Sequence, residues 1–158
     1  MDEERNGELV DAVMTASRVL VAVAARSLAA AGDVSLPQYR MLVLLAGRGQ
    51  QRVGDLAAAL AVNPSSATRM VDRLARAGLI RRRRDQHDRR SLLVTLTPAG
   101  HDVVGEVTRR RRADVEDLLR ALPAERHASV VEALRALADA AGEPTERDLA
   151  GLWAPAQV

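Results

Sequence analysis

Apolar positions recur at helical spacing from the start of the chain. Leu9, Val10, Val13, Leu20, Val21, Ala24 and Leu28, with Ser17 among them, share one face if residues 7–31 form a helix that ends near Gly32. Ser35 ahead of Leu36-Pro37 reads as an N-cap with proline in the first turn. The helix it opens carries Tyr39, Leu42, Val43, Leu45 and Ala46 and stops before Gly47-Arg48-Gly49. A short helix over 53–60 follows from Val53, Leu56, Ala57 and Leu60. Asn63-Pro64 starts another, to about Ala77, with Ala67, Met70, Val71 and Leu74 at i, i+3, i+4 and i+7 and Gly78 as the expected C-cap.

The period then changes. Residues 79–84 and 91–96 predict two short strands around the polar tip 85–90, which has no glycine or proline and is longer than a two-residue turn. Thr97-Pro98 opens a long helix to about residue 122. Pro123 opens a last major helix to about residue 141, striped by Val130, Val131, Leu134, Leu137 and Ala138 and ended by Gly142-Glu143-Pro144. The tail, 145–158, holds Leu149, Leu152 and Trp153, enough for one more amphipathic turn or two.

Two helices joined at Ala61-Val62-Asn63 and followed at once by a β-hairpin predict a winged helix-turn-helix in a mainly α (α+β) fold. The first of the two braces the second, and the second is of a size to enter the major groove of DNA. Opposite its apolar stripe the second helix presents Ser65, Ser66, Thr68, Arg69 and Arg73, with Arg76 at its end. Hydroxyls suit phosphates or base edges, and Arg suits guanine. The N-terminal turn at Pro64–Ser66 suits a phosphate. In the hairpin tip, Asp88 stands two residues before Arg90, with Arg89 between them. A carboxylate so placed holds a guanidinium extended, ready for a narrow minor groove. About half of Arg81–Arg84 are expected to face DNA, because strand residues alternate sides. Arg109–Arg112 lie on a long helix and read mostly as solvated.

Charge agrees with this placement. Residues 51–112 carry fourteen Arg and six acids, net +8, between flanks of −1 (residues 1–50) and −5 (residues 113–158). One concentrated basic surface points to a polyanion. Every one of the 23 basic residues is Arg.

Composition narrows the remaining classes. With 47% hydrophobic residues in 158, the chain folds, yet it has no Phe and its only aromatics are Tyr39 and Trp153. The core must come from Leu, Val and Ala, whose smaller area per side chain favours long helices and burial by a second copy. The absence of Cys excludes disulfides, thiol sensing, a cysteine nucleophile and cysteine-ligated metal. No signal peptide or apolar run of about 18 residues is visible, so a cytoplasmic protein without a membrane partner is expected. His87, His101 and His127 are far apart without metal-binding spacing, and no phosphate loop or nucleophile elbow occurs. No enzyme, metal or cofactor is expected.

Residues 36–112 resemble the multiple-antibiotic-resistance regulator (MarR) family. The resemblance rests on Leu36-Pro37-Gln38-Tyr39, Val53-Gly54-Asp55-Leu56-Ala57, the run from Ala67 to Leu74, and Gly78-Leu79-Ile80-Arg81. Its most specific part is Asp88-Arg89-Arg90 followed by Leu96-Thr97-Pro98-Ala99-Gly100. It implies a homodimer, with residues 1–34 and 101–144 as the dimerisation region, 35–100 as the DNA-binding domain and 145–158 as a tail without clear counterpart. It further implies binding of double-stranded DNA at a pseudo-palindromic operator, usually as a repressor relieved by a small aromatic or phenolic ligand. Carried over, the ligand crevice would involve Arg18, Gln38, Tyr39 and His101. Two rival readings are a non-specific architectural DNA-binding protein, indifferent to sequence at fixed salt, and a helical protein–protein adaptor that binds no DNA.

Overall fold

Local capping chemistry sets the element boundaries. The computed structural model describes residues 2–84 and 92–142. Helix α1 (Asp2–Leu28) ends in a 3-10 turn at Ala29–Ala31, after which Gly32 takes φ 64°. Helix α2 (Leu36–Arg48) begins at Ser35, whose N–H donates to Gln38 Oε1 at 2.8 Å. Strand β1 (Gln51–Arg52) leads directly into helix α3 (Val53–Ala59). Helix α4 (Pro64–Arg76) is capped by Asn63, whose Oδ1 accepts the Ser66 N–H at 2.8 Å. Strands β2 (Ile80–Arg84) and β3 (Leu92–Leu96) precede helix α5 (Pro98–Leu119), and a 3-10 turn at Ala124–Arg126 leads into helix α6 (His127–Ala141).

The expectations are refined in four places. The two-stranded wing of β2 and β3 is present, and a third strand joins it: the antiparallel sheet has the order β1-β3-β2, with Gln51 opposite Val94 and Arg52 opposite Leu93. Two residues are too few to show a strand's alternation, so β1 carries no sequence signal. Secondly, Ala77 occupies the C-cap of α4, and Gly78, at φ 73°, is the left-handed residue after it. Thirdly, Pro123 does not open α6 but precedes the 3-10 turn. Finally, the apolar stripe of α1 packs on its own chain only near its end, where Ala24 and Leu28 are half-buried. Leu9, Val10, Val13, Leu20 and Val21 are exposed, and the buried positions are Val23 and Ser27.

The core lies between α2, α3, α4, the sheet and the first half of α5. Met41, Leu42, Leu45, Leu56, Ala67, Val71, Leu74, Ile80, Val94, Val104 and Val107 are almost completely buried there. At about 1.5–3 kcal/mol for each fully buried Leu or Val, this cluster drives folding of the central lobe. By contrast α6 has no buried residue, and Val131, Leu134 and Leu137 stay about half exposed.

The joint between wing and α5 is polar and tight. Thr97 caps α5: its Oγ1 accepts the Gly100 N–H at 3.1 Å and donates to the Gly78 carbonyl at 2.7 Å. The Thr97 N–H donates to the Leu79 carbonyl at 3.1 Å. Gly100 crosses so close to that carbonyl that a Cβ would stand 2.1 Å from its oxygen. The glycine of Leu96-Thr97-Pro98-Ala99-Gly100 is therefore a steric requirement.

Candidate nucleic-acid interface

The α4 helix sorts its residues by face as the spacing predicts. Ala67, Val71 and Leu74 are buried and Met70 is half-buried, while Pro64, Ser65, Thr68, Arg69, Arg73 and Arg76 are exposed and Ser66 is half-buried. Burial of one stripe therefore fixes which side chains face outward.

Several of those outward groups hold each other in place. Ser65 Oγ donates to Asn63 Oδ1 at 2.8 Å, and Thr68 Oγ1 donates to the Pro64 carbonyl at 2.9 Å. Arg69 donates to Ser66 Oγ at 3.1 Å, which lays its guanidinium along the first turn. Arg76 Nε reaches back to the Asp72 carbonyl at 3.2 Å. The hydroxyls of Ser65 and Thr68 thus donate inside the helix and face outward mainly as acceptors. The expected cluster of free amides at the helix start shrinks as well. Pro64 has no N–H, and the Ser66 N–H is taken by Asn63, leaving the Ser65 amide.

An ion pair between Asp72 of α4 and Arg82 of β2 ties helix and wing together. Across the sheet, Arg82 stands opposite Val94, which is fully buried, so Arg82 belongs to the face that carries the core. Arg81 and Arg83 alternate to the other face. Of the wing residues expected to contact DNA, Asp88, Arg89 and Arg90 lie outside the described residues, as does Ser91.

Within one chain the four residues assigned to a ligand crevice each take separate partners. Arg18 is exposed and donates to Thr15 Oγ1 on its own helix at 3.1 Å. Gln38 is buried as the partner of Ser35, and His101 is exposed at the start of α5. Tyr39 alone bridges elements: its hydroxyl lies 3.3 Å from Thr108 Oγ1, and the Arg111 guanidinium sits 5.7 Å from its ring centre. Arg111 also donates to the buried Ser27 hydroxyl at 3.5 Å, and Arg26 meets Asp114 at 3.7 Å, so α1, α2 and α5 share one polar joint. Sequence reasoning missed Arg111, Thr108 and Ser27. The run Arg109–Arg112 looks uniformly solvated, and only the rotation of α5 turns one of the four inward. A recess of about 670 Å³ follows α6 past Val131, Glu132 and Arg135; it is a groove on one helix, away from Tyr39. Among the described residues no cluster of acids and histidines could hold a metal ion, and no helix is long and apolar enough to cross a membrane.

Comparison with known proteins agrees with this geometry. Residues 34–92 match the MarR family. The chain is 31% identical over 108 residues to the HTH-type transcriptional regulator YfiV of Bacillus subtilis, a span covering 68% of each chain. Among solved structures it is similar to RV1404 from Mycobacterium tuberculosis, with 41% identity, a TM-score of 0.80, and 87% of this chain and 94% of that one covered. It is also similar to a MarR family protein from Bacillus stearothermophilus, with 26% identity, a TM-score of 0.79, and 90% and 99% covered. A likeness extends to NadR in complex with 4-hydroxyphenylacetate, at 25% identity and a TM-score of 0.59, with 80% and 89% covered. The helix-turn-helix, the sheet and the capped start of α5 thus occur together with sequence kinship, and this chain belongs to the MarR family of transcriptional regulators, which are not enzymes.

Proposed function

We propose that the chain acts as a homodimer that binds a pseudo-palindromic operator in double-stranded DNA and represses transcription until a small aromatic or phenolic anion releases it. The observation that carries this reading is the outward face of α4. Thr68, Arg69, Arg73 and Arg76 are exposed on a helix whose opposite stripe is locked into the core. Sequence is read by Ser65, Ser66, Thr68 and Arg69 in the major groove, and by Arg90 in the minor groove with Asp88 and Arg89 supporting it. Arg73 and Arg76 contact phosphates, which makes affinity steeply salt-dependent.

Dimerisation is supported by what one copy leaves uncovered. Leu9, Val10, Val13 and Met14 of α1, Leu118 and Leu119 of α5, and Val131, Leu134 and Leu137 of α6 are all exposed. Apolar surface on this scale marks an interface. Residues 1–34 and 101–144 accordingly form the dimerisation region, and residues 35–100 the DNA-binding domain. Two-fold pairing sets the recognition helices about 34 Å apart, one turn of DNA.

For release, the likeness to NadR with its 4-hydroxyphenylacetate supports a phenolic acid as effector. The crevice we assign lies between the dimer helices and the DNA-binding lobe and involves Arg18, Gln38, Tyr39 and His101. A ligand there acts only by binding one spacing of the two recognition helices better than the other.

Selection of bound sequences from a random DNA pool tests the reading directly. A palindromic consensus with half-sites about 10 bp apart is expected. Equal recovery of all sequences would establish a non-specific architectural binder instead, and no salt-dependent recovery at all would establish an adaptor.

A further inference from the structure

Ser65, Thr68 and Arg69 stand at i, i+3 and i+4 on α4 and form one exposed patch. The bonds beneath it fix where each hydroxyl proton goes. Asn63 Oδ1 accepts the Ser66 backbone N–H at 2.8 Å, which identifies that atom as the oxygen of the side-chain amide. Ser65 Oγ, 2.8 Å from the same oxygen, is therefore the donor of their bond. Thr68 Oγ1 lies 2.9 Å from the Pro64 carbonyl oxygen, which can only accept, so Thr68 donates too. A hydroxyl has one proton, and in both residues it is engaged within the first turns of the chain around α4.

What Ser65 and Thr68 offer a partner is therefore two oxygens with lone pairs only. Phosphate oxygens also only accept, so neither hydroxyl pairs with the DNA backbone unless it gives up its internal bond. In the major groove guanine presents N7 and O6 and thymine presents O4, all acceptors. Adenine N6 and cytosine N4 present amino donors. An acceptor set against an acceptor leaves both unpaired once water is displaced, which costs affinity. Arg69 is the reverse case: it has donors only, and one of them is given to Ser66 Oγ at 3.1 Å.

We infer that Thr68 and Ser65 are specificity-determining residues that read exocyclic amino groups, each accepting from adenine N6 or cytosine N4 and rejecting guanine and thymine on the strand it faces. The inference rests on the major-groove reading of α4 above and names the base chemistry that its hydroxyls take. Every base pair carries one amino group in the major groove, on adenine or on cytosine. The two hydroxyls therefore choose which strand holds that group, and do not separate A·T from G·C. Ser65 and Thr68 are three residues apart, about 4.5 Å along the helix, little more than one base step. Arg69 in the same patch takes the opposite chemistry, the N7 and O6 of guanine. The half-site thus holds an adenine or cytosine close to a guanine.

The test uses the full-length protein and the operator recovered by selection, titrated in gel shifts. Each adenine of a half-site is replaced in turn by purine, and each cytosine by the pyrimidinone that lacks its amino group. In the unaltered protein at least one such deletion is expected to weaken binding about 5-fold per half-site. The loss is the same at about 50 mM and about 200 mM salt, because no phosphate contact changes. That deletion costs nothing further in Thr68→Val or in Ser65→Ala, whichever has lost the hydroxyl that meets the base, while the circular dichroism spectrum stays as in the unaltered protein. If no amino deletion weakened the unaltered protein by more than about 2-fold, the inference would be overturned even if both variants failed to fold. Equal losses in the unaltered protein and in both variants overturn it as well, because the analogue would then act through the duplex alone. Either result leaves the regulator reading in place. Recovery of no consensus at all overturns the regulator reading itself, and this inference with it.

Discussion

Gly100→Ala gives opposite signs depending on which physical effect wins, and the structure decides between them. Gly100 lies in the first turn of α5, where propensity alone favours Ala by about 1 kcal/mol. Against that gain stands a Cβ placed 2.1 Å from the Leu79 oxygen, 2.8 Å from Leu96 Cδ2 and 3.1 Å from the Leu79 carbonyl carbon. An ordinary carbon–oxygen approach is about 3.3 Å or more, so roughly 1.2 Å has to be yielded, largely by backbone. Insertions of this kind cost about 1–3 kcal/mol. The same Leu79 oxygen accepts the Thr97 N–H at 3.1 Å, and disturbing that bond adds about 1 kcal/mol. The net expectation is a loss of about 1–3 kcal/mol, or a Tm lower by about 3–10 °C for a chain of this size. The control is Gly105→Ala, further along α5 with nothing within 4 Å of its added Cβ, which is expected to gain up to about 1 kcal/mol. Urea and thermal melts of the three proteins at one protein concentration make the comparison. If Gly100→Ala melted as high as Gly105→Ala, the close approach to Leu79 would not exist and the account of this joint would be wrong.

Other perturbations probe the remaining parts. Ala61 holds φ 53° in the turn between α3 and α4, so Ala61→Gly is expected to stabilise by about 1 kcal/mol in urea melts. Leu134, half exposed on α6, is central to the uncovered stripe; Leu134→Asp should convert the dimer to monomer in sedimentation and leave the helical signal of the central lobe. Arg90→Ala should weaken operator binding by about 1–3 kcal/mol per half-site in gel-shift titrations, with fold and dimer intact. Glu106 accepts from Arg110 at 2.5 Å, and this bond, with the charges of Arg109 and Arg110, holds its pKa below the usual glutamate value. A depressed carboxylate stabilises above the unfolded pKa and loses that contribution as pH falls through the folded one. Glu106→Gln should therefore melt below the unaltered protein near neutrality and converge with it in acid.

Much of the site was legible because α4 is a short-range object. Asn63-Pro64, the stripe Ala67, Met70, Val71 and Leu74, and Gly78 specify where it starts, which side it buries and where it stops, through bonds and contacts within a few residues. The same holds for Thr97-Pro98 and α5. What the residues could not announce depended on partners distant in the chain. Strand β1 exists because Gln51 and Arg52 meet Val94 and Leu93 about forty residues later. Arg111 turns inward because Tyr39 and Ser27 wait there, although Arg109, Arg110 and Arg112 look the same in sequence.

Helix caps, apolar periodicity and the basic middle of the chain were thus determined by sequence alone, since each acts over one or two turns. Tertiary structure alone decided which arginine of Arg81–Arg84 meets Asp72 and which face away, because register across three strands sets that division. It also decided that most of the α1 and α6 stripes stays uncovered within one chain. Periodicity says that a face is apolar; only the packed fold says whether its own chain buries it.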